Sequence, residues 1–347
     1  MKAMVLKRIG PLQEDEARLE PAELPVPEPA DHELLVRVAA CGVCHTELDE
    51  IEGRTPPPAL PVIPGHQIVG RVERAGRHTT LFKTGDRVGI GWFFSSCGSC
   101  AFCQSGNDNL CPQFAATGRD VNGGYAQFMT VPESSAHAVP DVFSDTEAAP
   151  LLCAGAIGYR SLRLTGLTDG QSLGLTGFGA SAHLVLQMAR HRFPSSPCFV
   201  FARSESEREF ARHLGAVWAG DTDEPPPQKL DAIIDTTPAW KPVVAALANL
   251  NPAGRLVINA IRKEERDKNC LLELDYSKHL WLEKEIKSVA NVSRADISEC
   301  LRLAAEIPLK PEIQEFTLEE ANKALAELKA RKIRGAKVLR IHSDRAA

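Results

Sequence analysis

The stretch SLGLTGFGASAHLVLQMAR, residues 172–190, indicates the fold of the second half of the chain. Its apolar run, Leu173–Phe178, leads through a turn of small residues into a helical stretch. Further apolar runs follow along the chain, with helical sequences such as SESEREFARHLGA between them: CFVFA, LDAIIDT and GRLVINA. This alternation predicts βαβ units and a parallel sheet from about Ala154 onward.

The turn, Gly177-Phe-Gly179-Ala-Ser-Ala182, has the spacing of glycine-rich turns that bind a dinucleotide pyrophosphate. Its glycines permit a tight bend and a close approach of the backbone to the pyrophosphate, which then lies at the helix N-terminus. The third position is Ala182, which the pattern tolerates. Because the turn follows a strand and opens a helix, the sequence predicts a dinucleotide site here.

The end of the CFVFA strand bears on which dinucleotide binds. NAD-binding sheets usually place an acidic residue there, against the ribose hydroxyls, whereas this chain has Ala202 followed by Arg203 and Ser204. A missing carboxylate removes repulsion toward a 2′-phosphate, and Arg203 is able to pair with that phosphate. The sequence therefore favours NADP over NAD; the alternative is an arginine that lies in solvent at the start of a helix.

The remaining regions differ from this pattern. Residues 1 to about 150 are predicted to be mostly β, with short runs such as Leu34–Val38 and Ile68–Val72 between turns rich in proline and glycine. The last fifty or so residues contain two amphipathic stretches, Ile297–Glu306 and Leu318–Ala330, and then the strand-like KVLRI. A chain of 347 residues exceeds what one hydrophobic core usually supports, so we expect two domains.

The composition excludes several classes of protein. Apolar residues make up 44% and charged residues 24%, as in ordinary globular proteins, and the net charge of −5 argues against a nucleic-acid partner. The N-terminal sequence turns acidic too soon for a signal peptide, and no run reaches the length of a membrane span. We therefore expect a cytoplasmic enzyme, in which clustered cysteines are metal ligands rather than disulfides.

Four of the ten cysteines fall within one short segment with the spacing C-x2-C-x2-C-x7-C: Cys97, Cys100, Cys103 and Cys111. Four thiolates that converge on one ion form a closed tetrahedral zinc site, which has no open position for a substrate. The segment therefore predicts a structural zinc, although a zinc ribbon without catalytic activity has similar spacing.

A second group of ligand-type residues is scattered over the sequence. It comprises the segment Cys41-Gly-Val-Cys44-His45-Thr46, then His66, then Cys153. A catalytic zinc takes three protein ligands, Cys2His among them, and keeps one open position. Each residue also has an ordinary explanation: Cys153 as a small core residue, His66 as a turn residue, and Cys41 with Cys44 as a ligand pair of their own.

Together these residues resemble the zinc-containing alcohol dehydrogenases of the medium-chain dehydrogenase/reductase superfamily, over essentially the whole chain. The resemblance rests on seven motifs in the family's order: CGVCHTELD, PGHQIVGRVERAG, KTGDRVGIGW, the four-cysteine segment, GGYAQF, LLCAGAIGY and GFGASA. It implies an α/β protein with a β-rich, GroES-like catalytic domain at residues 1–154 and 295–347. Residues 155–294 would form the Rossmann cofactor domain, a doubly wound parallel sheet.

The resemblance also implies roles for single residues. It assigns the catalytic zinc to Cys44, His66 and Cys153 and leaves Cys41 unliganded. Thr46 matches the hydroxyl that takes the alcohol proton, and the proton is expected to leave by way of Asp49, His45 or solvent. By the same resemblance His45 contacts a cofactor phosphate, Glu47 is a carboxylate behind the zinc-bound histidine, and Trp92 is a wall of the substrate pocket.

Three positions depart from the family pattern. Gln67 replaces the glutamate that usually follows the ligand histidine, which removes a negative charge near the metal. Asp49 stands where the family often has a relay histidine, so the route of the proton to water is expected to differ. The C-terminal Gly-Arg that often contacts cofactor phosphate reads Gly335-Ala336 here, with Arg334 and Lys337 as candidate substitutes.

The resulting expectation is an NAD(P)-dependent enzyme with two zinc ions per chain, one catalytic and one structural. It would transfer hydride reversibly between a primary or secondary alcohol and the cofactor, giving an aldehyde or ketone. The alternatives are an aldehyde or polyol reductase on the same scaffold, or a zinc-binding protein without catalysis. A homodimer or homotetramer is expected.

Overall fold

The computed structural model describes residues 1–12, 17–307, 309–330 and 335–342. The chain divides into two compact units. Unit 1 comprises Met1–Cys153 and Val292–Ala347, and unit 2 comprises Ala154–Asn291. The sequence change expected near Ala154 therefore coincides with the point at which the chain passes from one unit to the other.

The first part of unit 1 is mostly β. Its strands are β1 (Lys2–Leu6), β2 (Leu19–Glu23), β3 (Glu33–Val43), β4 (Ile68–Ala75), β5 (Arg87–Ile90), β6 (Phe93–Ser95), β7 (Ala115–Ala116), β8 (Phe128–Pro132) and β9 (Ala136–Ala138). Its α-helices are short: α1 (His45–Ile51), α2 (Ala101–Gln104) and α3 (Asp145–Ala148). Single 3-10 turns lie at Asp108–Leu110, Glu133–Ser135 and Ala149–Leu152.

Unit 2 alternates strands with helices, as predicted. The strands are β10 (Leu173–Thr176), β11 (Cys198–Phe201), β12 (Trp218–Gly220), β13 (Leu230–Asp235), β14 (Leu250–Ile258) and β15 (Glu285–Ser288). The helices are α4 (Ala154–Thr165), α5 (Ala182–Arg192), α6 (Glu205–His213) and α7 (Lys241–Ala248), with a 3-10 segment at Lys268–Glu273 and a π-helical turn at Tyr276–Leu280.

The chain then returns to unit 1. This last part contains α8 (Arg294–Glu306), β16 (Ile313–Thr317), a 3-10 turn (Leu318–Glu320), α9 (Ala321–Lys329) and β17 (Ala336–Arg340). The predicted helix at Leu318–Ala330 thus begins as a 3-10 turn, where Thr317 and Glu320 form a capping box. The strand predicted from KVLRI is confirmed as β17.

The main sheet of unit 1 runs in the order β16-β17-β3-β4-β5-β9, and β8 also pairs with β3. The strand β3 is central, since it pairs antiparallel with β17, β4 and β8. Alternate residues of β3 enter the apolar core of the unit, among them Leu34, Val36 and Val38. The end of β3 pairs with β17 on one side and with β4 on the other. This pairing fixes the position at which the chain leaves the sheet and enters α1.

The sheet of unit 2 has six parallel strands in the order β12-β11-β10-β13-β14-β15. The predicted parallel sheet is confirmed. Because successive strands lie to one side of β10 and then to the other, the strand order reverses between β10 and β13. Open sheets of this kind bind ligands outside the carboxyl ends of the strands at such a reversal. Within the described ranges, none of the helices combines the length and apolar composition that crossing a bilayer requires.

Candidate functional site

The junction of β3 and α1 carries the first group of site residues. Cys44 is the N-cap of α1, and its Sγ accepts from the backbone N–H of Thr46 at 3.4 Å. The Glu47 carboxylate accepts in return from the backbone N–H of Cys44 at 2.8 Å. This capping box fixes Cys44 at the point where the strand turns into the helix.

Three side chains from separate parts of unit 1 converge next to this junction. The Nε2 atom of His66 lies 3.6 Å from Cys44 Sγ and 3.4 Å from Cys153 Sγ. Cys153 reaches this place because it follows the 3-10 turn that ends at Leu152. All three ligand atoms lie within 4.8 Å of one another. Cys41 is buried and is not in this group; its Sγ lies 3.6 Å from the carbonyl oxygen of Gly42.

Glu47 holds the imidazole of His66 in this orientation. Its Oε1 lies 2.6 Å from Nδ1 of His66, and both side chains are fully buried. Burial disfavours the charged imidazole, but the nearby Glu47 and Cys44 outweigh it and raise the pKa of His66 well above its usual value. With Nδ1 turned to the carboxylate, the other ring nitrogen, Nε2, is directed at the two sulfurs. This is the arrangement that metal-binding histidines commonly have.

At the thiol of Cys44, the nearby imidazole of His66 acts to lower the pKa, but other effects outweigh it. The hydrogen bond of this thiol with Cys153, burial and the nearby Glu47 carboxylate raise the pKa of Cys44 well above the usual value. A divalent cation at this place would reverse that balance, because a coordinated thiol is deprotonated. The electrostatics of the group therefore suit a bound metal ion.

Two of the residues that depart from the family pattern are buried nearby. Gln67 is 3% exposed and packs against β3, where a side chain at Gly42 would lie 2.6 Å from its Oε1. Asp49 is 2% exposed, and its carboxylate forms an ion pair with Arg54. Sequence reasoning did not identify Arg54, because the pair depends on how the residues after α1 fold back.

The other side chains predicted around this site differ in exposure. Thr46 is half-buried and His45 is exposed. The Trp92 ring is half-buried, with its centroid 6.5 Å from that of His66 and edge-on to it. The ring centroid of Phe114 lies 5.6 Å from that of the same indole. The guanidinium carbon of Arg119 lies over this indole, 5.5 Å from its centroid. These two neighbours were not predicted, since nothing in their local sequence marks a contact with Trp92.

A further buried carboxylate, Glu50, lies near this aromatic group. It is 1% exposed, and burial together with Glu47 raises its pKa well above the usual value. Its position four residues after Thr46 places the two on one face of α1. This i, i+4 spacing is the sequence signal that relates Glu50 to Thr46.

The four-cysteine segment forms a compact lobe around the short helix α2. The Sγ–Sγ distances are 3.5 Å for Cys97–Cys111, 3.6 Å for Cys100–Cys103 and 3.9 Å for Cys97–Cys103. Backbone N–H groups of Ser99 and Cys100 lower the pKa of Cys97 to about 6. Other backbone N–H groups also donate to these sulfurs, from Cys97 and Gln113 to Cys111. Although the backbone N–H of Cys103 acts to lower it, burial and hydrogen bonds with the other three thiols raise the pKa of Cys100 to about 11. The four predicted cysteines are thus brought together.

The predicted dinucleotide turn lies at the carboxyl end of β10. Gly177 has a φ of 78°, and a Cβ there would lie 2.9 Å from side-chain atoms of Thr236 and Thr237. A side chain at Gly179 would meet nothing within 4 Å, so the backbone there is open to an approaching ligand. Ala182 is fully buried and begins α5. β10 ends earlier than the predicted Phe178 because Gly177 adopts the left-handed conformation.

The residues after β11 are arranged as the start of a helix. Ala202 is 1% exposed and Arg203 is exposed, while Ser204 caps α6 by accepting from the N–H of Glu207 at 3.2 Å. Arg208, which was not predicted, donates to the carbonyl oxygens of Ala202 and Arg203 at 2.9 and 3.1 Å. A second guanidinium therefore lies beside Arg203.

The two C-terminal candidates for contact with a cofactor phosphate are Arg334 and Lys337. Lys337 is buried in unit 1, where its Nζ lies 2.7 Å from both Gln314 Oε1 and Glu327 Oε2. Its charge is therefore balanced within unit 1. Arg334 lies outside the described residues.

The chain is similar to known proteins along its whole length. Residues 30–141 match the alcohol dehydrogenase GroES-like domain. A Mycobacterium tuberculosis protein named probable alcohol dehydrogenase AdhA is 43% identical over 346 residues, covering 98% of this chain and 97% of its own. An alcohol dehydrogenase of Geobacillus stearothermophilus is 31% identical, covering 94% and 96%. A solved NAD-dependent alcohol dehydrogenase is 26% identical with a TM-score of 0.86, covering 99% of this chain and 100% of its own.

These similarities agree with the architecture described above, a β-rich unit that carries the cysteine and histidine clusters and a unit built on a parallel sheet. The predicted fold class is confirmed. The chain belongs to the zinc-dependent alcohol dehydrogenases of the medium-chain dehydrogenase/reductase superfamily.

Proposed function

We propose that this chain oxidises primary or secondary alcohols reversibly at a zinc ion held by Cys44, His66 and Cys153, with NADP preferred to NAD. The observation that carries the proposal is the convergence of two sulfurs and one imidazole nitrogen next to the half-buried Thr46, whose backbone N–H donates to Cys44 Sγ. Zinc bonds of about 2.3 Å to sulfur and 2.0 Å to nitrogen at tetrahedral corners give a sulfur–nitrogen separation of about 3.5 Å. The two separations at His66, 3.6 and 3.4 Å, fit this value.

A second zinc ion is proposed in the four-cysteine lobe. Four sulfurs at about 2.3 Å from one ion, at the corners of a tetrahedron, would be about 3.8 Å apart. The measured separations of 3.5, 3.6 and 3.9 Å support this assignment. All four protein ligands are thiolates, so this ion would have no position for substrate and would act in stability alone.

Within the catalytic group, each residue has a proposed task. A zinc ion bound there supplies Lewis-acid chemistry that makes an alcohol hydroxyl more acidic. Glu47 keeps Nε2 of His66 directed at the ion through its contact with Nδ1. Thr46 accepts the alcohol proton with its hydroxyl, and Trp92 forms one wall of the substrate pocket.

The onward route of the proton is proposed to end at Asp49, His45 or solvent. His45 is exposed, so it exchanges protons with water directly. The Asp49 carboxylate is buried and paired with Arg54, so water does not reach it directly. Of the two, His45 therefore has the environment better suited to pass a proton on, and it is also the proposed contact for a cofactor phosphate.

Cofactor binding is proposed for residues 155–294, and catalysis for residues 1–154 and 295–347. The nicotinamide cofactor supplies the hydride chemistry itself. The turn at Gly177, Gly179 and Ala182 would receive its pyrophosphate, while Arg203 and Ser204 would receive the 2′-phosphate of NADP. The exposed side chain of Arg203 and the absence of a carboxylate at Ala202 support the preference for NADP.

A homodimer or homotetramer is proposed on the exposed edge of unit 2. β15 ends the strand order of the sheet, and all four of its residues are exposed. Large apolar side chains are exposed in and just before this strand: Leu272, Tyr276, Trp281, Leu282 and Ile286. An unpaired edge strand with apolar neighbours is the kind of surface that a second copy covers.

The test combines metal removal with a choice of cofactor. The purified chain would be assayed with a panel of alcohols and aldehydes and with each cofactor, before and after chelation and after zinc is restored. We expect alcohol oxidation that is lost on chelation, returns with zinc and has the higher kcat/KM with NADP. Undiminished turnover after both zinc ions are removed would contradict the proposal, as would a lack of turnover with every substrate and both cofactors.

A further inference from the structure

A buried ion pair lies at the carboxyl edge of the unit 2 sheet. The side chain of Asp235, the last residue of β13, is fully buried, and that of Lys263 is 8% exposed. Lys263 Nζ donates to the Asp235 carboxylate and also to the carbonyl oxygens of Thr237 and Ala239, at 2.8 and 2.9 Å. Since an ammonium group has three N–H donors, all of them are used within this one cluster.

The other oxygen of Asp235 holds Thr237. It accepts from the Thr237 hydroxyl at 2.8 Å and from the Thr237 backbone N–H at 3.3 Å. Thr237 Cγ2 and Thr236 Oγ1 occupy the space into which a side chain at Gly177 would project. Thr236 in turn donates from its hydroxyl to the carbonyl oxygen of Thr176 at 3.0 Å. The ion pair is thus connected to the glycine-rich turn through two threonines.

The segment after β14, which carries Lys263, is also joined by backbone hydrogen bonds to the end of β13 and the residues after it. The N–H of Asn259 donates to the carbonyl oxygen of Asp235 at 2.8 Å, and the N–H of Glu264 donates to that of Pro238 at 2.7 Å. The ends of β10, β13 and β14 are therefore connected through a single cluster. The strand order reverses between β10 and β13, so the cluster lies at the place where sheets of this class bind a dinucleotide.

The ion pair of Asp235 and Lys263 also affects the charge at the carboxyl edge of the sheet. Burial raises the pKa of Asp235, while Lys263 acts in the opposite direction. A dinucleotide carries two or more negative phosphate charges, so an uncompensated carboxylate beneath its site would repel it. Lys263 cancels that charge and fixes Thr237 with the same set of bonds.

We propose that Asp235 and Lys263 are positioning residues for the nicotinamide cofactor: their ion pair holds Thr236 and Thr237 against the Gly177 turn and neutralises the carboxylate beneath it. This inference rests on the proposed binding of the cofactor at the carboxyl edge of the sheet. The pair acts on the shape and charge of that edge, and neither residue needs to touch the cofactor.

The test measures the dissociation constants of NADH and NADPH by calorimetry, well below the melting temperature of each variant. Lys263→Met leaves a buried, unpaired carboxylate, and we expect both dissociation constants to rise by about tenfold or more. Lys263→Arg keeps the charge and should recover most of the affinity. The double variant Asp235→Asn with Lys263→Met removes both charges and keeps an acceptor for Thr237, so it too should bind more tightly than Lys263→Met.

Lys284→Met provides a matched control. Lys284 is a half-buried lysine of the same unit that donates to the carbonyl oxygens of Leu247 and Lys278, and it precedes β15 at the opposite, amino edge of the sheet. We expect this variant to bind both cofactors within about twofold of the wild type, whatever its melting temperature. In steady-state kinetics, Lys263→Met should raise KM for the cofactor and leave KM for the alcohol nearly unchanged.

Wild-type affinity in folded Lys263→Met would overturn the inference, and so would an equal loss of affinity in Lys284→Met. If Lys263→Met fails to fold, the double variant provides the test. A folded double variant whose dissociation constants for NADH and NADPH are about tenfold or more above those of the wild type would overturn the charge argument. A wild-type chain that binds neither NADH nor NADPH would instead contradict the proposed function. The two failures are therefore distinguishable.

Discussion

The neighbours of His66, a proposed zinc ligand, fix the orientation of its imidazole. Glu47 contacts Nδ1 at 2.6 Å, so Nε2 is left to face Cys44 and Cys153. Glu47 is itself placed by the helix start, since its carboxylate also accepts from the backbone N–H of Cys44. One carboxylate therefore fixes both the histidine and the turn that carries the cysteine of the proposed metal site.

Thr46→Val tests the proposed proton acceptor. The substitution keeps the shape of the side chain and removes the hydroxyl, so we expect kcat for alcohol oxidation to fall about 100- to 10,000-fold. The zinc content should be unchanged. Thr79→Val is a suitable control, because Thr79 is a half-buried threonine of the same unit whose hydroxyl donates to the carbonyl oxygen of Gly76 in a turn. Wild-type turnover in Thr46→Val would mean that the proton leaves by another route.

Ala202→Asp tests the proposed preference for NADP. A carboxylate at the end of β11 would accept hydrogen bonds from the ribose hydroxyls of NAD and repel a 2′-phosphate. For the wild type we expect a preference for NADP of roughly 5- to 30-fold in kcat/KM, which corresponds to about 1 to 2 kcal/mol. Ala202→Asp should reverse it.

Two arginine variants complete this comparison. Arg203→Ala should weaken NADP binding much more than NAD binding, while Arg203→Lys, which keeps the charge, should have the smaller effect. A clear preference of the wild type for NAD would contradict the expectation and would mean that Arg203 interacts with solvent alone.

At the scale of elements, the lobe around α2 is the part of the chain whose structure is proposed to depend on a metal. The helix has four residues, and none of them is buried. So short a helix is not stable by propensity alone. Its fold is therefore expected to depend on the ion that joins the four cysteines, which links the stability of the lobe to zinc.

Cys100→Ala should destabilise the chain for that reason. A structural zinc site contributes folding free energy directly, and losing it is expected to lower the free energy of unfolding by about 4 kcal/mol. Denaturant unfolding of the zinc-loaded protein measures the change. Cys300→Ala, at a buried cysteine of α8 outside the lobe, should cost much less. Equal and small losses in the two variants would count against a structural metal at Cys100.

His137 couples the stability of the β9–α8 contact to pH. Its Nδ1 lies 2.8 Å from Ser298 Oγ, and burial, with Arg294 nearby, lowers the pKa of His137 to about 4. The folded state thus keeps the imidazole neutral, whereas the unfolded chain binds a proton below about pH 6.5. The contribution of neutral His137 to the free energy of unfolding is therefore fully present above pH 6.5. It is lost as the pH falls toward 4, which lowers the free energy of unfolding by about 3 kcal/mol.

The variant His137→Asn has no group that titrates in this range and should show less dependence of unfolding free energy on pH between 6.5 and 4. The difference between the two proteins is the informative quantity, since zinc release at low pH affects both alike. Parallel curves for wild type and variant would show that His137 does not contribute.

For the whole molecule, the sequence predicted features that depend on local pattern. The alternation of apolar runs indicated the parallel sheet, and the cysteine spacing indicated the lobe, because neighbouring positions along the chain fix both. The Asp49–Arg54 and Asp235–Lys263 pairs were not predicted. Which of many charged side chains meet depends on how loops fold back over the sheets, and no short-range pattern encodes that.

Under the proposed function, the two units would carry different parts of the activity. Both cysteine clusters lie in unit 1, and the glycine-rich turn lies in unit 2. Changes at the metal ligands should therefore leave cofactor binding largely intact, and changes at the Gly177 turn should leave zinc content intact. On this assignment turnover would require both units, so activity alone would not distinguish damage to the metal site from damage to the cofactor site.

The zinc content per chain, measured together with alcohol oxidation in protein never exposed to chelator, tests the central claim most directly. We predict two zinc ions in the wild type, one for each cluster, and one in Cys153→Ala, with turnover abolished and the fold largely intact. Cys41→Ala, at the buried cysteine outside the cluster, should keep both ions. A single zinc ion in the wild type, or turnover in Cys153→Ala at the wild-type rate, would contradict the account.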